Sequence, residues 1–271
     1  MATPSAATVE AAALFVPDGG HVVPTALARG PWSVESLHGG PVAALVAGAV
    51  ESLIRDDGLQ LSRITLELLR PVPVAPLLVT STLVRPGRNV QLIDTVVEAD
   101  GVEVAWSRAL RIRVATDQEP AVPSVAEEPT PAPPDRGVDN PSDPPGSRAF
   151  HNGGMEMRFV EGRFDQPGPA TVWFRLRCPV LLGVDTSPWQ RAAAAADFGN
   201  GVSAELPFGS SLFINPDLTV SLHRPPVGEW ICLDARTRFG SPGIGTTESE
   251  LWDRQGRIGQ AIQNLLVETA R

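Results

Sequence analysis

SLHGGPVAALVAGAVESLIRDD, residues 36–57, reads as a helix opening at His38-Gly39-Gly40-Pro41, and from Pro41 to Val50 it carries no polar side chain on any face. A helix that is apolar all round is buried all round. Ala43, Ala44, Ala47, Gly48 and Ala49 are small enough to let a sheet approach closely from several sides. Glycines at the start have two readings: they permit a tight strand-to-helix turn, or they let the backbone approach a ligand.

Downstream lie RITLELLRPVP, LLVTSTLVRPG and NVQLIDTVVEADGVEVAWSRALRIRV, alternating segments of which the last is folded back at Asp100-Gly101. The order recurs in the second half. SPWQRAAAAADFGNG reads as a helix with Ser187 as N-cap and Pro188 at its first position, followed by LTVSLHRPP, EWICLDARTRF and IGTTESELWDRQGRIGQAIQNLLVE. Arg70-Pro71 precedes the Gly101 turn much as Arg224-Pro225 precedes Gly256. MEMRFVEGRF and TVWFRLR supply a further hairpin ahead of the second helix. One helix followed by a run of antiparallel strands, twice over, predicts an α+β fold of two curved antiparallel sheets, each wrapped around a central helix. Between the halves, residues 117–148 hold nine of the 27 prolines and show no apolar periodicity, which reads as a linker. The expected organisation is an N-terminal unit over 1–116, the linker over 117–148, and a C-terminal unit over 149–271.

All 22 basic residues are arginine and the formal charge is −9, which argues against a general nucleic-acid surface. Seven acids against two arginines place −5 of that charge in the linker, so an anionic ligand on the body is not excluded. The longest apolar runs fall short of the roughly 20 residues that span a bilayer, and the N-terminus lacks a basic region ahead of its apolar residues. No membrane span is expected, and a cytoplasmic location is. Cys178 and Cys232 show no metal spacing, so they are read as buried small residues; neither a disulfide nor a metal or other cofactor is expected.

HGGPVAAL at the first helix, LRPVP after the next strand, AAAADF on the second helix, FINPDLTVSLHRPP and GQAIQNLLV, taken in this order, resemble the double-hotdog acyl-CoA thioesterases, especially the bacterial acyl-CoA thioesterase II type and its thioesterase-like relatives. The resemblance implies acyl-CoA as substrate and a homodimer or larger homo-oligomer. It also implies that a carboxylate on the second helix, a hydroxyl residue before the next strand and a glutamine on the last strand orient and activate a water. Residue by residue these fall on Asp197, Asn215 and Gln263. Asn215 departs from the family's Thr or Ser: it can hydrogen-bond a water but cannot relay a proton as a hydroxyl does. By the same resemblance a thioester carbonyl is held at His38, Gly39 and Gly40, where amides at a helix N-terminus stabilise developing negative charge.

The residues taken alone leave alternatives open. Asp197 follows five alanines near a helix C-terminus, where the macrodipole disfavours an anion, and is either a solvated acid, an arginine partner or a base. Gln263 projects from a strand face that is otherwise small or apolar, so its amide needs partners, whether backbone or ligand. No acid is paired with His38 in sequence, so a direct catalytic part for it is not expected. Arg85, Arg88, Arg236 and Arg238 lie at strand ends or turns and are candidates for coenzyme A phosphates. Glu51 leads into the polar RDD exit of its helix and reads as a solvated acid rather than the base of a second site. The expected function is hydrolysis of acyl-CoA thioesters with Asp197 as general base. The alternatives are a hotdog enoyl-CoA hydratase or dehydratase, which needs a His and an Asp on one site, and a non-catalytic acyl-CoA-binding protein.

Overall fold

The computed structural model of the chain describes residues 13–31, 33–53, 58–114, 129–139, 149–206, 211–240 and 243–269. Its strands are β1 (Phe15–Asp18), β2 (His21–Pro24), β3 (Leu59–Leu68), β4 (Leu77–Pro86), β5 (Val90–Ala99), β6 (Val102–Arg113), β7 (Val138–Asp139), β8 (Met155–Glu161), β9 (Ala170–Leu176), β10 (Ser211–Ile214), β11 (Asp217–Leu222), β12 (Ile231–Gly240), β13 (Ile244–Asp253) and β14 (Gly256–Thr269). The helices are α1 (Gly39–Ser52), α2 (Pro188–Ala196) and the short α3 (Gly199–Val202).

Both long helices start where capping chemistry sets them. His38 stands at the N-cap of α1 with its Nδ1 3.1 Å from the Gly40 amide nitrogen, and Ser187 forms a reciprocal capping box with Gln190 at the head of α2. The β5–β6 hairpin turns on Asp100 and Gly101, at φ 50° and 73°; such a pair of left-handed residues matches the twist of the flanking strands. Strand alternation then supplies a buried face, for example Ala105, Ser107, Ala109 and Arg111 on β6.

The two expected sheets join side by side by hydrogen bonding. The pairings between these strands are antiparallel and run β1-β2-β4-β5-β6-β3-β11-β14-β13-β12-β9-β8-β7 among the described residues, with β10 added to β14. The halves meet at β3 and β11, where Thr65 faces Thr219 with their hydroxyls 3.2 Å apart. Passing outward from this pair meets β6, β5 and β4 on one side and β14, β13 and β12 on the other, so the sheet has an approximate two-fold through it.

Helix α1 packs on β3, β4 and β5, helix α2 packs on β9, β11, β12 and β13, and the two helices pack on each other. They run antiparallel, Gly39 lying against Asp197 and Gly48 against Gln190. Of the small residues read as admitting a sheet, Gly48 is needed by the second helix, as are Gly39 and Gly40 at the start of α1. A Cβ on Gly40 would stand 2.6 Å from the Ala194 carbonyl oxygen and 2.8 Å from the Phe150 ring. From Val42 to Ala47 every residue of α1 is buried, as is the whole alanine run of α2.

Part of the segment read as a linker is applied to the sheet. Residues 129–139 carry a turn at Pro134–Arg136 with Pro134 buried, the Trp173 indole donates to the Ala132 carbonyl at 2.7 Å, and β7 pairs with β8. Residues 117–128 and 140–148 of that segment lie outside the described residues. Cys232 is buried, Cys178 is partly so, and both are free thiols; burial pushes the Cys178 thiol up to about 11.

Candidate active site

Three of the sequence-predicted residues and the glycine pair converge where the start of α1 meets the end of α2. Asp197 is the C-cap of α2 and only 4% exposed. An anion there opposes its own helix dipole, but the start of α1 faces it and donors surround it. The Asn215 Nδ2 donates to Asp197 Oδ1 at 2.8 Å and to the Asp217 carbonyl at 3.2 Å. The Gln263 Nε2 donates to the Asp197 carbonyl at 3.3 Å and weakly to Oδ1 at 3.4 Å, while its Oε1 accepts from the Asn200 amide at 3.1 Å. With both ends of the Gln263 amide so engaged, it fixes the carboxylate and the α2–α3 turn.

The third side-chain partner of Asp197 is one that the sequence did not pair with it. His38 Nδ1 lies 2.7 Å from Asp197 Oδ2, so the histidine has an acid after all, supplied by the other half of the chain. Its ring packs edge-on to Phe150 at 5.1 Å and tilted against Phe198 at 4.7 Å, and Phe198 in turn stacks on Phe174 at 4.9 Å. Phe150 comes from a π-helical turn, Phe150–Gly154, just after the linker segment. Neither phenylalanine is distinguishable in sequence from an ordinary core residue. Gly39 closes over the carboxylate: a Cβ on it would stand 2.7 Å from Asp197 Oδ1. The glycines of HGG are therefore required by α2 and its aspartate, a reason absent from both earlier readings.

Below this cluster the inner face of the C-terminal half is polar. Thr237 shares hydrogen bonds with Ser203 at 2.8 Å and Thr247 at 2.7 Å, and Thr247 is paired with Gln263 in the β13–β14 register. The approximate two-fold allows a direct comparison. Thr219 is opposite Ile262 and Thr65 is opposite Arg108, so the counterpart of Gln263 is Ala109, whose partner Ile93 corresponds to Thr247. Both counterparts are apolar and buried.

At the far end of the helix pair, the N-cap of α2 meets an acid of α1: the Ser187 hydroxyl donates to Glu51 Oε2. This mirrors His38 meeting Asp197. Glu51 is thus not the solvated acid expected; burial pushes its carboxyl above the usual range, and the Ser187 bond draws it part of the way back. Of the RDD exit, Arg55, Asp56 and Asp57 lie outside the described residues.

The four candidate arginines are not part of the cluster. Arg236 and Arg238 point from the outer face of β12 into a groove shared with Asp234, Glu248, Glu250 and Arg257. Arg238 is bound to Glu248 at 3.1 Å and Arg257 to Glu250 at 3.2 Å, so acids offset the basic charge. Arg85 and Arg88 flank the β4–β5 turn, where the Arg88 carbonyl accepts from Arg113 at 2.7 Å. Arg224 of the HRPP motif is structural: it grips the buried Asp253 through two bonds of 2.5 and 2.7 Å. Burial alone raises the Asp253 carboxyl, but the bonds from Arg224 and from the Val227 and Gln255 amides hold it below its usual value.

A family model described as the acyl-CoA thioesterase C-terminal domain matches residues 124–267, more than half of the chain, and one described as the acyl-CoA thioesterase N-terminal domain matches residues 28–113. No curated protein matches in sequence. Among solved structures, a conserved protein of unknown function with a hotdog fold from Alicyclobacillus acidocaldarius is similar at TM-score 0.74 and 20% identity, covering 99% of this chain and 100% of that one. The acyl-CoA thioesterase II TesB2 of Mycobacterium marinum gives 0.65 and 15% over 87% and 92%. The tesB protein of Mycobacterium avium subsp. paratuberculosis gives 0.66 and 14% over 97% and 99%. At such identities the three structures carry the fold alone. No helix among the described residues is long and apolar enough to cross a membrane.

Proposed function

The chain belongs to the acyl-CoA thioesterase family and is an enzyme of thioester hydrolysis, and on that premise we propose that it cleaves acyl-CoA to free acid and CoA by a water activated at Asp197, with Gln263 and Asn215 holding the carboxylate. A single observation carries this reading: a buried carboxylate stands at a helix junction with Asn215, Gln263 and His38 all turned to it. Hydrolysis needs a base, a fixed orientation for that base and a donor to the oxyanion. Asp197 and His38 supply the basic pair, the two side-chain amides fix it, and backbone amides at the start of α1 are taken as the donors to a substrate carbonyl. Asn215 serves here as a donor to the carboxylate, a role for which no hydroxyl relay is needed.

We extend the proposal to the architecture and setting. Each half is taken as one hotdog, 1–116 and 149–271, with 117–148 between them. One site operates per chain, because Ala109 and Ile93 stand where the working half has Gln263 and Thr247. A homodimer or larger assembly in the cytoplasm, acting in fatty acid metabolism, completes the reading. Light scattering showing only a 28.7 kDa particle at micromolar concentration would count against the assembly.

A panel of acyl-CoAs with a thiol reagent tests the chemistry: free CoA appears with the wild type, and Asp197→Asn lowers turnover by about 10²-fold or more, the scale of a lost general base. An unchanged rate in a folded Asp197→Asn protein refutes the site. One observation favours a second reading, since the 2.7 Å pairing of His38 and Asp197 meets the requirement of a hydratase or dehydratase. Loss of enoyl-CoA absorbance without release of thiol identifies that activity, and binding without either change identifies a non-catalytic acyl-CoA carrier.

A further inference from the structure

We propose that His38 is a catalytic residue, and that its Nε2 is the atom exchanging protons with the attacking water and the departing thiolate, while Asp197 acts through it from the other half of the chain. The inference rests on the thioesterase reading and assigns the proton-transfer atom within it.

The position of one proton decides the matter. Nitrogen and oxygen at 2.7 Å need a hydrogen between them. Asp197 Oδ1 already accepts from Asn215 and Gln263, as an ionised carboxylate does. A carboxylate that accepts on its other oxygen is the acceptor of this pair as well, so the shared proton belongs on Nδ1. In the neutral ring the lone pair then lies on Nε2. The side chain is 11% exposed, against 4% for Asp197, and no hydrogen bond from another described residue reaches Nε2. Asp197, by contrast, has donors on both oxygens and Gly39 over its face, and meets the water through the imidazole. Phe150 and Phe198 hold the ring in place without charge, so Asp197 is the charged side chain in contact with it among the described residues.

The same proton bears on the head of α1. His38 Nδ1 also lies 3.1 Å from the Gly40 amide nitrogen. A protonated Nδ1 has no in-plane lone pair, so in the Asp197-bound form the imidazole covers the head of α1 by position and does not accept from that amide.

The steps balance. Nε2 takes a proton from water as the water oxygen bonds to the carbonyl carbon, and the C=O π pair moves onto the carbonyl oxygen. When that oxygen re-forms its double bond the C–S bond breaks, its electron pair leaves on sulfur, and Nε2 returns the proton to the thiolate. Acid and thiol are formed and His38 ends neutral.

The test is His38→Asn, which keeps a donor for Asp197 Oδ2 and a cap for α1 but removes Nε2. Turnover is expected to fall by about 10²- to 10⁴-fold at little-changed Tm, and the acid limb of the kcat/KM profile to vanish. Retention of turnover within a factor of a few, with the acid limb intact, would overturn the assignment and return the proton to Asp197 alone. A second readout does not depend on activity: ¹⁵N NMR of the imidazole is expected to show Nδ1 protonated and Nε2 bare at the pH of greatest activity in the wild type. For an inactive protein the spectrum is read at neutral pH. The opposite tautomer, or a ring protonated on both nitrogens, overturns the proposal. If instead no acyl-CoA releases thiol, the hydrolytic reading fails while the tautomer still decides the pair.

Discussion

Replacing Gly39 by alanine separates the site from the fold. The new methyl would stand 2.7, 2.8 and 2.9 Å from Oδ1, Oδ2 and Cγ of Asp197, whereas carbon and oxygen in ordinary contact keep about 3.3 Å or more. The carboxylate must retreat by roughly 0.6 Å to restore that distance, which takes its 2.7 Å contact with His38 to the edge of hydrogen-bonding range. A hydrogen bond to a charged group contributes about 1.5–3 kcal/mol, so turnover should fall about 10- to 100-fold. Stability responds less, because alanine's better helix propensity, up to about 1 kcal/mol, offsets part of an overpacking cost of about 1–3 kcal/mol. Gly48→Ala is the control. Its methyl meets the Gln190 amide, the end of a long side chain far from Asp197, so the bond to the Ala44 carbonyl is disturbed and activity is kept. Steady-state kinetics on the best acyl-CoA, with thermal melts of both variants, are the assay. A Gly39→Ala enzyme with wild-type kcat/KM would show that the carboxylate's position does not matter, and the site as built here would fall.

Two further outcomes depend on pH. The Glu51 carboxyl is raised by burial in the folded state, so its ionisation weakens the fold as pH climbs from the unfolded value, about 4.3, through the folded one. Glu51→Gln, whose amide oxygen can still accept from Ser187, should therefore match or exceed the wild-type Tm at neutral pH with turnover little changed, and a marked drop in either argues against it. Asp253 is held below its usual value, so its contribution is complete above about pH 4 and is lost as pH falls through the folded value. Arg224→Met should lower Tm at neutral pH, with the deficit shrinking in acid; a pH-independent deficit would assign the loss to packing alone.

What could be read in the sequence was local. Ser187 with Pro188 and Gln190, and the left-handed pair Asp100-Gly101, act within a few residues of themselves, and the structure places both as their chemistry requires. The apolar circumference of α1 announced burial but not by what, since a second helix and a sheet leave the same mark on composition. Pairings across the halves have no local signature, which is why His38 lacked its acid and Glu51 its hydroxyl. Composition also concealed the docking of residues 129–139: a proline-rich stretch without periodicity can still lay its carbonyls on a sheet, as Ala132 does for Trp173. The Gln263 amide was the most ambiguous residue in sequence, and in the structure its oxygen serves the backbone while its nitrogen serves Asp197.

The antiparallel helix pair has a consequence for how this enzyme should fail on heating. His38 and Asp197 occupy opposing helix ends, and helix ends are where opening begins at the least free energy. The strands on either side of the Thr65–Thr219 seam, each with one face buried and both neighbours paired, open at higher free energy. Inactivation should therefore precede melting: over a band of temperature below the loss of sheet signal, the protein would be folded by spectroscopy yet inert, and cooling would restore it. In a harvested culture or a stored preparation, the amount of folded protein would then overstate the amount of working enzyme.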